Sequence, residues 1–238
     1  MSLFLCAFFY VNMSYAGILA SSTRVIYSQN DSEKSLMLVN TNEYPVLTQI
    51  WVDDGQMDSE FQDAPFAVLP GVFKLNPKET KGIRIVYNGT PLASDRESLY
   101  WLNLYEIPAI KKDNLTHDYV NLAMNTQMKI FYRPKNLQSF TLNELQQKVK
   151  HELISSGNKV ELTLKNPTPY YLNFTNIKVS NAQFSSDIQH KDDNILPPFS
   201  EKTYALINAN FQIKSTNLLE YTLIDDSGKS HPYSYQFK

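Results

Sequence analysis

One run of the chain restricts the fold more than any other: Tyr119-Val120-Asn121-Leu122-Ala123-Met124-Asn125-Thr126-Gln127-Met128-Lys129-Ile130-Phe131-Tyr132-Arg133-Pro134. Val120, Leu122, Met124, Met128 and Ile130 occupy every second position, and only Thr126 breaks the apolar series. A period of two puts alternate side chains on one face of a β-strand. Pro134 then ends it, because proline has no N–H to give to a ladder. Such a strand can be half-buried core, or it can be a strand presented to another protein. Its periodicity is common to both readings.

Similar short runs precede it at 23–27, 35–39, 46–52, 66–70, 72–77, 82–87 and 99–108, with polar or proline-containing turns between them. No helical period intervenes. Twelve prolines against seven glycines, with 15 tyrosines and 13 phenylalanines, suit strands and proline-punctuated turns. This pattern predicts an all-β fold, with residues 17–134 forming one immunoglobulin-like sandwich. Residues 135–238 repeat the style, with alternation at 159–164 and a turn at Asn166-Pro167-Thr168-Pro169, and are assigned to a second domain. Thr141-Leu142-Asn143-Glu144 has the spacing of a capping box and predicts a short helix through Val149.

At the N-terminus an apolar stretch, 3–11, leads to Ser14-Tyr15-Ala16, with small residues where a signal peptidase reads. Residues 1–16 are therefore read as a secretory signal cut after Ala16. The stretch is too short to span a bilayer. The single cysteine, Cys6, falls within it, so the mature chain carries neither disulfide nor thiolate chemistry. Export without disulfides suits a bacterial periplasm. A net charge of -2 gives no reason to expect a nucleic-acid partner.

Catalytic signals are missing from the sequence. The histidines, His117, His151, His190 and His231, show no metal-ligand spacing. The acidic pairs Asp53-Asp54 and Asp225-Asp226 each stand just before a turn glycine, which is the ordinary use of aspartate in turns. No catalytic residue, metal or cofactor is assigned.

Several segments taken together resemble a family. They are 23–27, the stretch 65–77 followed by 83–85, Asp95-Arg96-Glu97-Ser98-Leu99-Tyr100-Trp101-Leu102-Asn103-Leu104 with Glu106-Ile107-Pro108, Lys129 to Pro134, and Asn166 to Tyr171. Across its whole length the chain resembles the periplasmic chaperones of the chaperone–usher pathway, which assemble pili in Gram-negative bacteria. The resemblance implies two immunoglobulin-like domains set at an angle around a cleft. It implies pilin subunits and an outer-membrane usher as partners, and leaves open whether the free protein associates with itself through its donor strand. Arg24 and Lys129 match the family's anchors for the pilin carboxylate. Val120, Leu122 and Met124, with Thr126 and Met128, match the donated strand. Glu97, Arg133 and Asp226 match an inter-domain charge cluster, in which Asp225 is the alternative to Asp226. The chain lacks the cysteine pair of the long-loop branch, which places it with the short-loop chaperones. The competing readings are an immunoglobulin-like adhesion or pilus structural protein and a secreted β-sandwich hydrolase.

Overall fold

A computed structural model describes residues 17–109, 122–156, 159–189, 194–214 and 216–237. The expected signal segment and Val120 lie outside the described residues. The first sandwich contains β1 (Ile18–Ala20), β2 (Arg24–Ser28), β3 (Lys34–Asn40), β4 (Val46–Asp53), β5 (Phe66–Leu69), β6 (Val72–Leu75), β7 (Thr80–Tyr87), β8 (Ser98–Pro108) and β9 (Met124–Arg133). One sheet has the order β1-β3-β7-β5 and the other β2-β9-β8-β4-β6. Alternation is the cause: in β7, Ile83 and Ile85 are fully buried while Arg84 between them reaches out to Glu33.

Between β1 and β2 the chain changes sheets. β1 pairs with β3 in one sheet, and β2 then runs parallel to β9 in the other. This switch positions the site, because β2 begins at Arg24 and covers β9 only from Lys129 onward.

The second sandwich follows a short helix, α1 (Leu142–Lys148). The expected capping box is present: the Glu144 carboxylate accepts from the Thr141 N–H at 2.7 Å, and the Thr141 hydroxyl accepts from the Glu144 N–H at 3.3 Å. Then come β10 (Lys150–Ser156), β11 (Lys159–Asn166), β12 (Leu172–Ser180), β13 (Ser185–Asp187), β14 (Ile195–Leu196), β15 (Ser200–Ala205), β16 (Leu218–Ile224) and β17 (Ser230–Gln236). They form the sheets β10-β11-β15 and β13-β12-β16-β17, with β14 paired to β12. The chain is all-β in two sandwiches, each with its own apolar cluster. The first closes around Tyr27, Phe66, Tyr87 and Tyr132; the second centres on Leu162, Leu164, Ile177, Leu219 and Tyr221.

One titratable group is folded into the second sandwich. The His151 ring packs on Tyr235 at 4.5 Å between centroids and also meets Tyr221 and Tyr233. Burial pushes its pKa down to about 4. The unfolded chain takes up this proton near the ordinary value of 6.5 while the folded domain does not. Its contribution is therefore complete above pH 6.5 and is lost as the pH falls toward 4. We expect the second domain to lose about 1–2 kcal/mol across that window, allowing for the water contact of a half-buried ring. His151→Phe should flatten the dependence, as read by urea denaturation at several pH values. An equally steep profile in the variant would assign the effect to other groups.

Candidate functional site

β9 changes character along its length. Tyr132, Ile130 and Met128 are buried in the first core, at 3%, 0% and 4% exposure. Thr126 is exposed, Met124 is 48% exposed, and Leu122, just before the strand, is 70% exposed. The same alternating face thus passes from core to open surface. Met128, read from the sequence with the donated residues, needs correcting: it lies opposite the fully buried Leu102 and its side chain fills this domain's own core.

The edge changes at the same point. On one side β9 pairs with β8 along its full length, from Glu106 opposite Met124 to Ser98 opposite Tyr132. On its other side β2 takes the ladder from Lys129 to Arg133. Among the described residues no strand pairs with that outer edge from Met124 to Met128. Its backbone groups are available to an added strand.

Register then aligns the two expected anchors. Arg24 lies directly opposite Lys129 across the β2–β9 ladder, so both side chains leave the same face. Lys129 in turn lies opposite Trp101, and its ammonium sits 4.4 Å from the indole centroid. Arg24 turns toward the second domain, with Nη1 3.5 Å from the Ile224 carbonyl oxygen and its guanidinium 6.0 Å from the Phe131 ring centroid. Phe131 meets Tyr171 of the second domain at 5.9 Å between centroids. A cleft cavity of about 420 Å³ opens here, lined by Arg24, Phe131, Arg133, Tyr171 and Asp226 among others.

The charge cluster lies across the domain junction. Arg133 donates to Glu97 Oε1 from Nε at 2.8 Å and grips Asp226 with both terminal nitrogens, at 2.7 and 3.0 Å. The other Glu97 oxygen accepts from the Tyr171 N–H at 2.8 Å. The Glu97 N–H donates to the Pro169 carbonyl at 2.9 Å. The Glu97 side chain is only 2% exposed. Burial pushes its carboxyl above the usual range, with the Arg133 charge pulling it back. Burial opposes the Arg133 charge, but the hydrogen bonds to Asp226 and the charge of Glu97 outweigh it and hold the guanidinium protonated. Asp226, rather than Asp225, bonds to Arg133. Asp225 instead ties its own turn, accepting from the Ser227 and Lys229 N–H groups at 2.9 Å each and meeting His231 at 2.8 Å. That turn packs just ahead of β2: a Cβ added at Gly228, where φ is +84°, would collide with the Thr23 hydroxyl beside Arg24.

Sequence reasoning passed over Trp101 and Tyr171 as site residues. Trp101 was visible only as one residue of a motif, since its place beside Lys129 depends on the β8–β9 register. Among the described residues no group of three or more His, Cys, Asp or Glu could hold a metal ion.

Comparison with known proteins covers most of the chain. Residues 17–138 match the family of pili and flagellar-assembly chaperones, PapD N-terminal domain, and residues 141–235 match the pili assembly chaperone PapD, C-terminal domain. The chain is 32% identical over 227 residues to the chaperone protein FimB/FhaD of Bordetella pertussis, covering 92% of this chain and 87% of that one. It is 31% identical over 224 residues to the fimbrial chaperone YadV of Escherichia coli K12, covering 90% and 88%. The crystal structure of YadV superposes with a TM-score of 0.78 at 27% identity, over 92% of this chain and 99% of that one. A chain from the complex of Salmonella enterica SafA pilin with the SafB chaperone gives 0.74 at 27% identity, over 95% and 99%. With both domains matched in order and relatives aligned nearly end to end, this chain belongs to the PapD-like pilus assembly chaperones, a non-enzymatic family.

Proposed function

We propose that this protein is a periplasmic chaperone that lends the free edge of β9 to incomplete pilin subunits, holds the subunit's C-terminal carboxylate at Arg24 and Lys129, and delivers the subunit to an outer-membrane usher. One observation carries this reading: the edge of β9 that no strand pairs with among the described residues ends where Arg24 and Lys129 stand side by side.

A pilin lacking its last strand exposes an apolar groove and unpaired backbone groups, a template for aggregation. Chaperone–pilin complementation is an established instance of strand addition, in which the ladder supplies affinity and alternate side chains supply fit. Here Leu122, Met124 and Thr126 are the described side chains free to enter such a groove. Val120 would extend the row. From Leu122 to Lys129 the extended chain covers roughly 23 Å at about 3.3 Å per residue.

The direction of the added strand follows from β2. A strand beside Met124 to Met128 is collinear with β2 and meets it at Arg24. Its C-terminal end points at Arg24 only if it runs parallel to β9. A slip of two residues would preserve the side-chain pattern, so the ladder cannot set register by itself. A carboxylate caught in the Arg24 fork and against the Lys129 ammonium sets it.

The test is co-expression with pilins and purification on a tag carried by this chain. The expected product is an equimolar complex with a pilin. Leu122→Asp with Met124→Asp places charges in the partner's groove. This should weaken capture by at least about 3 kcal/mol, roughly a hundredfold, without changing the melting temperature, since both side chains are exposed. Pilin recovered at wild-type yield with the double variant would remove β9 as the donated strand.

A further inference from the structure

The anchor lysine is not held by its own strand alone. Asp53, Trp101, Lys129 and Arg24 form one row across four neighbouring strands, each directly opposite the next. Within that row the Lys129 ammonium lies 4.4 Å from the Trp101 ring centroid, within the range of a cation–π contact. The five-membered ring of the indole lies against a tight turn. A Cβ added at Gly55 would sit 2.7 Å from Trp101 Nε1 and 2.9 Å from Cδ1, so only a glycine leaves room for the ring. Gly55 also has φ +103°, a conformation that side chains resist. The turn is tied by Asp53, which is fully buried and accepts from the Gly55 N–H at 2.8 Å.

We infer that Trp101, backed by the Asp53–Gly55 turn, is a positioning residue that sets where Lys129 presents its charge, and thereby how strongly a chain end is told from a mid-chain carbonyl. Lysine carries its charge on a flexible four-carbon stem and has no fork to orient it. A carboxylate is captured well only if the ammonium already waits at the end of the β9 edge. The indole restrains it there through a cation–π contact. The inference rests on the reading of Lys129 as a carboxylate anchor.

The experiment uses the full chain and a synthetic peptide copying the last strand of the co-purified pilin, made once with a free carboxylate and once as the amide. The wild-type protein should bind the acid about tenfold more tightly than the amide, as a charge-assisted contact predicts. Lys129→Met should narrow that gap to about threefold or less, with Arg24 holding the remainder. Trp101→Leu should narrow it to about threefold or less by weakening the acid alone, and Trp101→Phe should restore part of it, because phenylalanine is a weaker cation–π partner. Gly55→Ala, which leaves Trp101 in place but crowds it, should also narrow the gap. A second readout needs no peptide: the Lys129 side-chain methylene protons should show an upfield ring-current shift that disappears in Trp101→Leu. A full tenfold gap in Trp101→Leu and Gly55→Ala, or equal weakening of acid and amide, overturns the positioning role while leaving the anchor intact. An acid–amide gap left at its full size by Lys129→Met overturns the reading of Lys129 as an anchor, and the inference with it.

Discussion

A Lys129→Ala protein should fold and melt like the wild type and yet fail to retain pilin subunits. Lys129 leaves the outward face of β9, whereas the flanking Met128 and Ile130, which hold that strand in the core, are untouched. Each charged contact to the bound carboxylate is worth about 1.5–3 kcal/mol, so the loss of capture should be roughly 10- to 150-fold. Arg24→Ala should do the same. The double variant should fall short of the sum, because both groups address one carboxylate. Pilin yield in co-expression and the thermal melt of the isolated variant are the two measurements. A variant that melts normally and still protects pilins would show that the carboxylate is held elsewhere.

The second large effect concerns the junction. Arg133→Ala leaves the Glu97 carboxylate, 2% exposed, with the Tyr171 N–H as its remaining hydrogen-bond donor among the described residues. Removing one member of a buried ion pair costs about 3–5 kcal/mol, because the other charge stays buried and uncompensated. The Arg133 stack on Tyr170, at 5.0 Å, is lost as well. Asp226 is 59% exposed, so Asp226→Asn should cost no more than about 1 kcal/mol. The two variants therefore separate a buried clamp from a surface ion pair. Urea denaturation gives the energies, and small-angle scattering should show a broader spread of inter-domain angles in Arg133→Ala alone. Pairing Arg133→Met with Glu97→Gln should recover much of the loss, since no buried charge then remains. A cost below about 1 kcal/mol for Arg133→Ala would mean that the apolar contact of Phe131 with Tyr171 holds the junction instead.

Much of the architecture was legible in the chain because strand formation here is driven by local alternation. The runs at 35–39, 46–52 and 82–87 lie inside β3, β4 and β7, and Thr141 caps α1 as its spacing required. The C-terminal half was less legible. β13 and β14 have three and two residues, too short for any period to register, and exist because β12 pairs with them. Asp225 and Asp226 could not be separated by sequence, since adjacent aspartates in a turn differ only in where the fold aims them. In the fold one ties its own turn and the other reaches Arg133.

The sequence by itself determined that the stretch ending at Pro134 is a strand with one apolar face, because a period of two depends on nothing but the extended backbone. Tertiary structure decided how that face is divided. Met128 and Ile130 turn into the first core, while Met124 and Leu122 remain exposed beyond it. The division falls where β2 joins the edge of β9, and that point is set by the chain crossing from one sheet to the other between Ala20 and Arg24. Periodicity cannot show where a neighbouring strand begins. Long-range register sets that point, and it also brings Arg24, Lys129 and Trp101 into one row.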